Sequence, residues 1–218
     1  MNFNKNFSTY GDYAVVQKKV ACKLITLLEE SHYGSILELG CGTGFFTREL
    51  VKNFKFDRLD VNDYFNTTSY LEDIQYNKFI EGDMTKIHVG KYDLICSSSA
   101  FQWVEDLDSL FKNLSNCTSN LVFSIYIEGN LIEIKNHFNI SLNYLSLEEI
   151  FAIAKKYFKD VECSQETFTL NFKTPLEALK HLKKTGVSGI GKTSLSVVKS
   201  FKDSSLTYRV AYFKCINN

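Results

Sequence analysis

Three stretches of this 218-residue sequence hold residues whose types and spacing suit chemistry. In "ILELGCGTGFFT", residues 36–47, Glu38 precedes glycines at 40, 42 and 44. Glycines spaced this way after an apolar run let the backbone approach a small ligand closely, and a carboxylate two places earlier can meet a cation. A dinucleotide-binding turn requires G-x-G-x-x-G, but position 45 is Phe45, so nicotinamide chemistry fails on spacing. Farther on, Asp60 and Asp83 each close a short apolar segment, and "SSSAFQWV" follows another. The third stretch, "GVSGIGKTS" from Gly186 to Ser194, matches G-x-x-x-x-G-K-[ST], the pattern of a phosphate-cradling loop. Such a loop must follow a buried strand. Gly186 instead follows "LEALKHLKKT", whose lysines keep one helix face wet, so the match is read as coincidence and the stretch as the flexible end of a cap helix.

The elements that must position these residues follow from periodicity. Apolar residues at Val16, Val20, Leu24 and Leu27 predict an amphipathic helix over 12–30, with Asp12 as its cap. "SILELG" predicts a strand that runs into the glycines, and "TGFFTRELVKNF" a helix that begins at once. Strands follow at "FKFDRLD", "NKFIEGD", "YDLICSS" and "NLVFSIYI", with a helix at "DLDSLFKNLSN". This alternation implies a doubly wound, mostly parallel α/β sheet covered on both faces. The later chain adds a helix at 145–158 with a Ser146–Glu149 capping box, strands at "DVECSQETFTLNF" and "SLTYRVAYFKCI", and between them a helix opening on Pro175. A single domain over 1–218 is expected: an N-terminal lid helix in 1–30, a ligand-binding half at 34–127, and a C-terminal half at 129–218 with a helical insert at 174–204.

The E/D-x-G-x-G-x-G pattern of Glu38, Gly40, Gly42 and Gly44 resembles the first motif of class I S-adenosylmethionine-dependent methyltransferases, which are Rossmann-like and carry a seven-stranded sheet. That cofactor has no pyrophosphate, so the turn, Cys41 included, needs close backbone approach more than an anion hole. The resemblance implies that Glu38 meets the cofactor's ammonium and Asp60 its ribose hydroxyls. It puts Asp83 at the adenine amino group, Val61 and Met84 on either side of the ring, and the Ser97–Ser98 turn beside the methionine part. All of these fall at C-terminal ends of strands, the edge where parallel sheets bind ligands.

Segments outside that motif resemble one branch, the malonyl-[acyl-carrier-protein] O-methyltransferases of biotin synthesis. They are "FSTYGDYAVVQ" with Phe7, Tyr10, Ala14 and Gln17, the Gln102–Trp103 pair, "FKTPLEALKHLKKTGV" with Lys183 and Gly186, and "LTY" at 206–208. The resemblance implies methylation of the free carboxylate of malonyl-acyl carrier protein. Tyr10 and Gln17 of the lid, with Gln102 and Trp103 at the floor, would position the substrate. A carboxylate is ionised at neutral pH, so no general base is expected. Arg209 is assigned to solvent rather than to that carboxylate. Lys180, Lys183, Lys184 and Lys192 of the late insert are the candidate docking patch for the acidic carrier. Two alternatives stay open: methylation of a small free acid, as by the similar aconitate-type enzymes, and S-adenosylmethionine binding without catalysis.

Composition limits the partners. With 25 basic and 25 acidic side chains there is no global field toward nucleic acid or an anionic membrane. The six cysteines have neither disulfide nor zinc spacing, so no metal is expected. The sequence has no export signal and no long apolar run, which leads to the expectation of a cytoplasmic monomer.

Overall fold

The structure, a computed structural model, describes residues 13–185 and 194–217. Its strands are β1 (His32–Leu39), β2 (Lys55–Asp63), β3 (Lys78–Glu81), β4 (Leu94–Ser98), β5 (Asn120–Tyr126), β6 (Asp160–Asn171) and β7 (Ser205–Ile216). They form one sheet in the order β3-β2-β1-β4-β5-β7-β6. The first five pair in parallel, and β7 runs antiparallel between β5 and β6. This is the mostly parallel, Rossmann-like sheet that the alternation of elements predicts. Strand order reverses between β1 and β4, so the connections that leave their C-terminal ends diverge and open a crevice there.

Helices α1 (Val15–Leu24), α2 (Phe45–Asn53), α4 (Ile132–Phe138) and α6 (Pro175–Lys184) contribute to the core on one face. On α1 the buried residues Val16, Val20 and Leu24 recur every four positions, as the sequence predicts. The helix is shorter than the expected 12–30: it tightens into a single turn at Ile25–Leu27, and Leu28 is extended. On α6, Pro175 occupies the first turn and the Thr174 hydroxyl accepts from the Glu177 amide at 3.2 Å. A short helix, α7 (Leu195–Ser200), precedes β7. Among the described residues no helix is long and apolar enough to cross a membrane.

The other face is covered by α3 (Leu107–Ser115) and α5 (Leu147–Lys155). The expected capping box starts α5: the Glu149 amide donates to the Ser146 hydroxyl at 3.1 Å, and the Ser146 amide to Glu149 Oε2 at 2.7 Å. Beneath these helices lies an aromatic cluster. The Phe123 ring is 4.9 Å from Phe213 in a stacked pair, 5.1 Å from Phe101 and 5.2 Å from Phe111. Phe101 belongs to the turn after β4, so this cluster fixes the floor of the crevice from below. Truncating Phe123 to Ala is expected to cost about 3–5 kcal/mol, read as a lowered urea midpoint with unchanged m.

Candidate functional site

The turn after β1 is folded by hydrogen bonds to its neighbour strand. The amides of Gly40 and Cys41 both donate to the Asn62 carbonyl at 2.9 Å, Gly42 donates to Asp63 Oδ2 at 2.8 Å, and Gly44 to the Cys41 carbonyl at 2.9 Å. The first three of these amides point back toward β2 and the fourth closes the turn on itself, so the turn is not an anion hole. Two of the glycines are required by space as well as by conformation. Gly40 has φ +76°, and a Cβ there would lie 2.4 Å from Ala100 Cβ, in the loop after β4. Gly44 has φ +80°, and a Cβ would lie 2.6 Å from Leu71 and 2.8 Å from Ile74. At Gly42 a Cβ would meet nothing within 4 Å, so the turn presents bare backbone to open space.

Glu38, near the end of β1, is 1 % exposed, and its Oε2 has no hydrogen-bond partner among the described residues. Burial pushes its carboxyl up to about 8, the Thr47 hydroxyl beside it works against that rise, and the nearby Asp63 charge adds to it. Three further buried atoms along this edge also lack partners among the described residues: Thr43 Oγ1 in the turn, and Ser99 Oγ and Gln102 Oε1 after β4. Buried polar atoms are rarely left unsatisfied, so such an arrangement fits a polar ligand carrying a positive group.

The loop after β4 is held in a specific conformation. Ser99 has φ +56°, and its amide donates to both the carbonyl and the hydroxyl of Ser124 at 3.1 Å. Gln102 and Trp103, both half-buried, lie in the tight turn Phe101–Trp103. The Gln102 side-chain nitrogen donates one N–H to the Ser99 carbonyl, and the side-chain oxygen has no partner among the described residues. Ser98 is the half-buried last residue of β4. Ser97 is turned away, its hydroxyl donating to the Leu39 carbonyl at 2.8 Å, so it joins strands instead of lining the crevice. Met84 approaches the glycine turn, its Cε 3.5 Å from where a Gly40 Cβ would be. Asp83 organises its own turn: Oδ1 accepts from the Thr85 amide at 3.0 Å and hydroxyl at 2.7 Å, which holds its carboxyl below the usual range.

Besides Ser97, two more expected residues lie elsewhere. Asp60 is not at the end of β2, which continues to Asp63, and its side chain is fully buried on the face opposite Glu38, accepting from the Tyr92 hydroxyl at 2.7 Å and from Arg58. Val61 is fully buried in the core opposite Glu38 in the β1–β2 register, so it cannot flank a ring at the sheet edge. The strand-end carboxylate is Asp63, which also accepts from the Phe65 amide at 3.1 Å and is followed by Tyr64, 63 % exposed. Sequence reasoning missed both. The available signal was the repeat Asp57, Asp60, Asp63, which leaves the end of the strand undetermined.

In the cap, Gln17 is half-buried on α1, and Lys180 and Lys183 are exposed on α6. Lys184, half-buried, donates to the Tyr13 hydroxyl and lies 3.9 Å from the centre of that ring, contacts that leave its charge in place. Arg209 is not free in solvent either, since it donates to the Glu128 carbonyl at 3.0 Å and to Gln165 at 3.1 Å. Tyr10, Lys192 and the stretch from Gly186 to Thr193 lie outside the described residues.

The raised Glu38 carboxyl makes a pH prediction for the ligand-free protein. Between the ordinary value of 4.5 and about 8 the folded state holds a proton that the unfolded chain has lost, so stability falls as pH rises through that window. Glu38→Gln is expected to flatten this fall in urea midpoints measured from pH 5 to 8. Asp63, raised in the same direction by burial, leaves a smaller residual slope. Parallel profiles for the variant and the parent would show that Glu38 is not the titrating group.

Comparison with known proteins follows the same lines. A family model described as a methyltransferase domain matches residues 37–120. The malonyl-[acyl-carrier protein] O-methyltransferase of Calditerrivibrio nitroreducens is 35% identical over 231 residues, covering 97% of this chain and 93% of that protein. Its namesake from Bacteroides thetaiotaomicron is 34% identical, covering 88% and 78%. In fold, the YcgJ protein of Bacillus subtilis superposes with a TM-score of 0.70 at 10% identity, over 92% of this chain and 98% of that one. The chain belongs to the malonyl-[acyl-carrier protein] O-methyltransferase family.

Proposed function

We propose that the chain uses S-adenosylmethionine to methylate the free carboxylate of malonyl-acyl carrier protein, the step of biotin synthesis that its resemblance implies. The observation that carries this is the buried Glu38 oxygen at the sheet's switch point, unpartnered among the described residues and beside a glycine turn whose amides face inward. When bound, the cofactor supplies a methyl group on a positively charged sulfur. Glu38 holds the ammonium of its methionine part, and Asp63 takes the ribose hydroxyls in place of Asp60. Tyr64 and Met84 flank the adenine, with Asp83 toward its amino group. The backbone at Ser98 and Ser99 borders the methionine part.

Gln102 keeps its expected place beside the substrate and adds a second role. One N–H of its nitrogen is engaged with the Ser99 carbonyl, so the amide still offers an oxygen, which attracts a cation, and a second N–H, which suits a carboxylate. Its oxygen suits the positive end of the cofactor and its remaining N–H the substrate carboxylate, for which Tyr10 and Gln17 of the lid are the other candidates. That carboxylate is already ionised at neutral pH, so the protein's work is to align and desolvate rather than to move a proton.

Incubation with S-adenosylmethionine and malonyl-carrier protein is expected to add one methyl group, seen by mass spectrometry and absent with acetyl-carrier protein. Asp63→Asn is expected to lower kcat/KM for the cofactor by about 10-fold or more, whereas Asp60→Asn acts through stability. Equal loss of cofactor affinity in both variants would contradict the reassignment.

Lys180 and Lys183 on α6, with Lys199 and Lys202 nearby in sequence on and after α7, are exposed and suit an acidic carrier. Reversing the charge of Lys180 and Lys183 is expected to raise KM for malonyl-carrier protein several-fold at low salt, by about one charge pair each, and to leave a small malonyl thioester unaffected. An unchanged KM for the carrier substrate would place docking elsewhere.

A further inference from the structure

Outside the ligand-facing residues, one side chain ties together the two connections that wall the crevice. Arg48, on the first turns of α2, donates from Nη1 to the Thr43 carbonyl at 2.7 Å, in the middle of the glycine turn. From Nη2 it donates to the Tyr70 carbonyl at 2.9 Å, in the connection that leaves β2. Its Nε and Nη2 also grip Asp73 in a bidentate pair at 2.9 and 2.6 Å. Nη1 passes 3.0 Å from where a Gly44 Cβ would be, between the turn and the apolar pair Leu71 and Ile74. Asp63 makes the inner link between the same two connections through the Gly42 amide. Arg48 makes the outer one.

We propose that Arg48 is a positioning residue for cofactor binding: by bridging Thr43, Tyr70 and Asp73 it holds the glycine turn against the connection after β2, and so fixes the spacing between Glu38 and Asp63. This rests on the assignment of the crevice to S-adenosylmethionine. Only a planar fork can serve four acceptors in three directions at once. Lysine, a single ammonium, keeps the charge and loses that geometry. Preorganising the two walls removes their ordering cost from binding, so loosening them weakens affinity although Arg48 touches no ligand.

The test is binding of S-adenosylhomocysteine by calorimetry, together with amide hydrogen exchange at residues 42–44 in the free protein. Arg48→Lys is expected to weaken binding by about 10-fold and to speed exchange of the Gly44 amide. KM for the cofactor should rise by more than kcat falls. Asp73→Asn, at an exposed position where folding is not at risk, is expected to move the same quantities in the same direction by less. Wild-type affinity and exchange in both variants would overturn the proposal. So would losses that merely track a lowered unfolding midpoint, since Arg48 would then be a structural staple. If the parent protein itself fails to bind S-adenosylhomocysteine, the cofactor assignment is wrong, and exchange at Gly44 still decides whether Arg48 holds the turn.

Discussion

Where β1 gives way to the glycine turn, the backbone must reverse within van der Waals contact of two other loops, and the rest of the site depends on that closeness. Ala100 presses on one side at Gly40, and Leu71 and Ile74 on the other at Gly44. A side chain at Gly40 would press on Ala100 in the loop after β4, and one at Gly44 would displace the ends of Leu71 and Ile74 in the connection after β2. With glycine present, the turn folds onto the Asn62 carbonyl and the Asp63 carboxylate, and three connections from three strands meet at one edge. The crevice of a doubly wound sheet is a topological consequence; its width here is set by two missing β-carbons.

That closeness leaves a carboxyl group, Glu38, buried among strands and helices with an oxygen that the described protein does not satisfy. A protein stabilised only for its own sake would not keep such a group, because burial disfavours its charged form and the nearby Asp63 makes it worse. A cation bound at the sheet edge resolves both problems. The same physics separates this turn from a phosphate cradle: a cradle turns its amides outward, whereas here those of Gly40, Cys41 and Gly42 are engaged with β2 and that of Gly44 with Cys41.

Much of this was legible in the sequence, and the failures have a common physical cause. Strands, capping boxes and the glycine turn are encoded within a few residues: Pro175 after Thr174, Ser146 with Glu149, and glycines where positive φ and contact distances demand them. The end of β2 is not encoded so locally. In "FDRLDVND" the acids Asp57, Asp60 and Asp63 are three apart, so stopping the strand one acid early exchanges the two faces of the sheet. Asp60 then passes for the ligand-facing residue, although it points toward Tyr92. Register with β1, which places Val61 opposite Glu38, is information only the sheet contains. The contact of Lys184 was hidden for a similar reason: its partner, Tyr13, arrives from 171 residues away.

The account stands or falls on whether the buried carboxyl at the end of β1 meets the positive end of a bound cofactor. Calorimetric titration with S-adenosylhomocysteine, whose ammonium matches that of the cofactor, tests this directly when repeated at pH 7 in buffers of different ionisation enthalpy. Because burial pushes the Glu38 carboxyl up to about 8 in the free protein, a cation bound beside it favours loss of that proton, so one-site binding with proton release to the buffer is the predicted result. Absence of binding, or binding with no proton released, would contradict it.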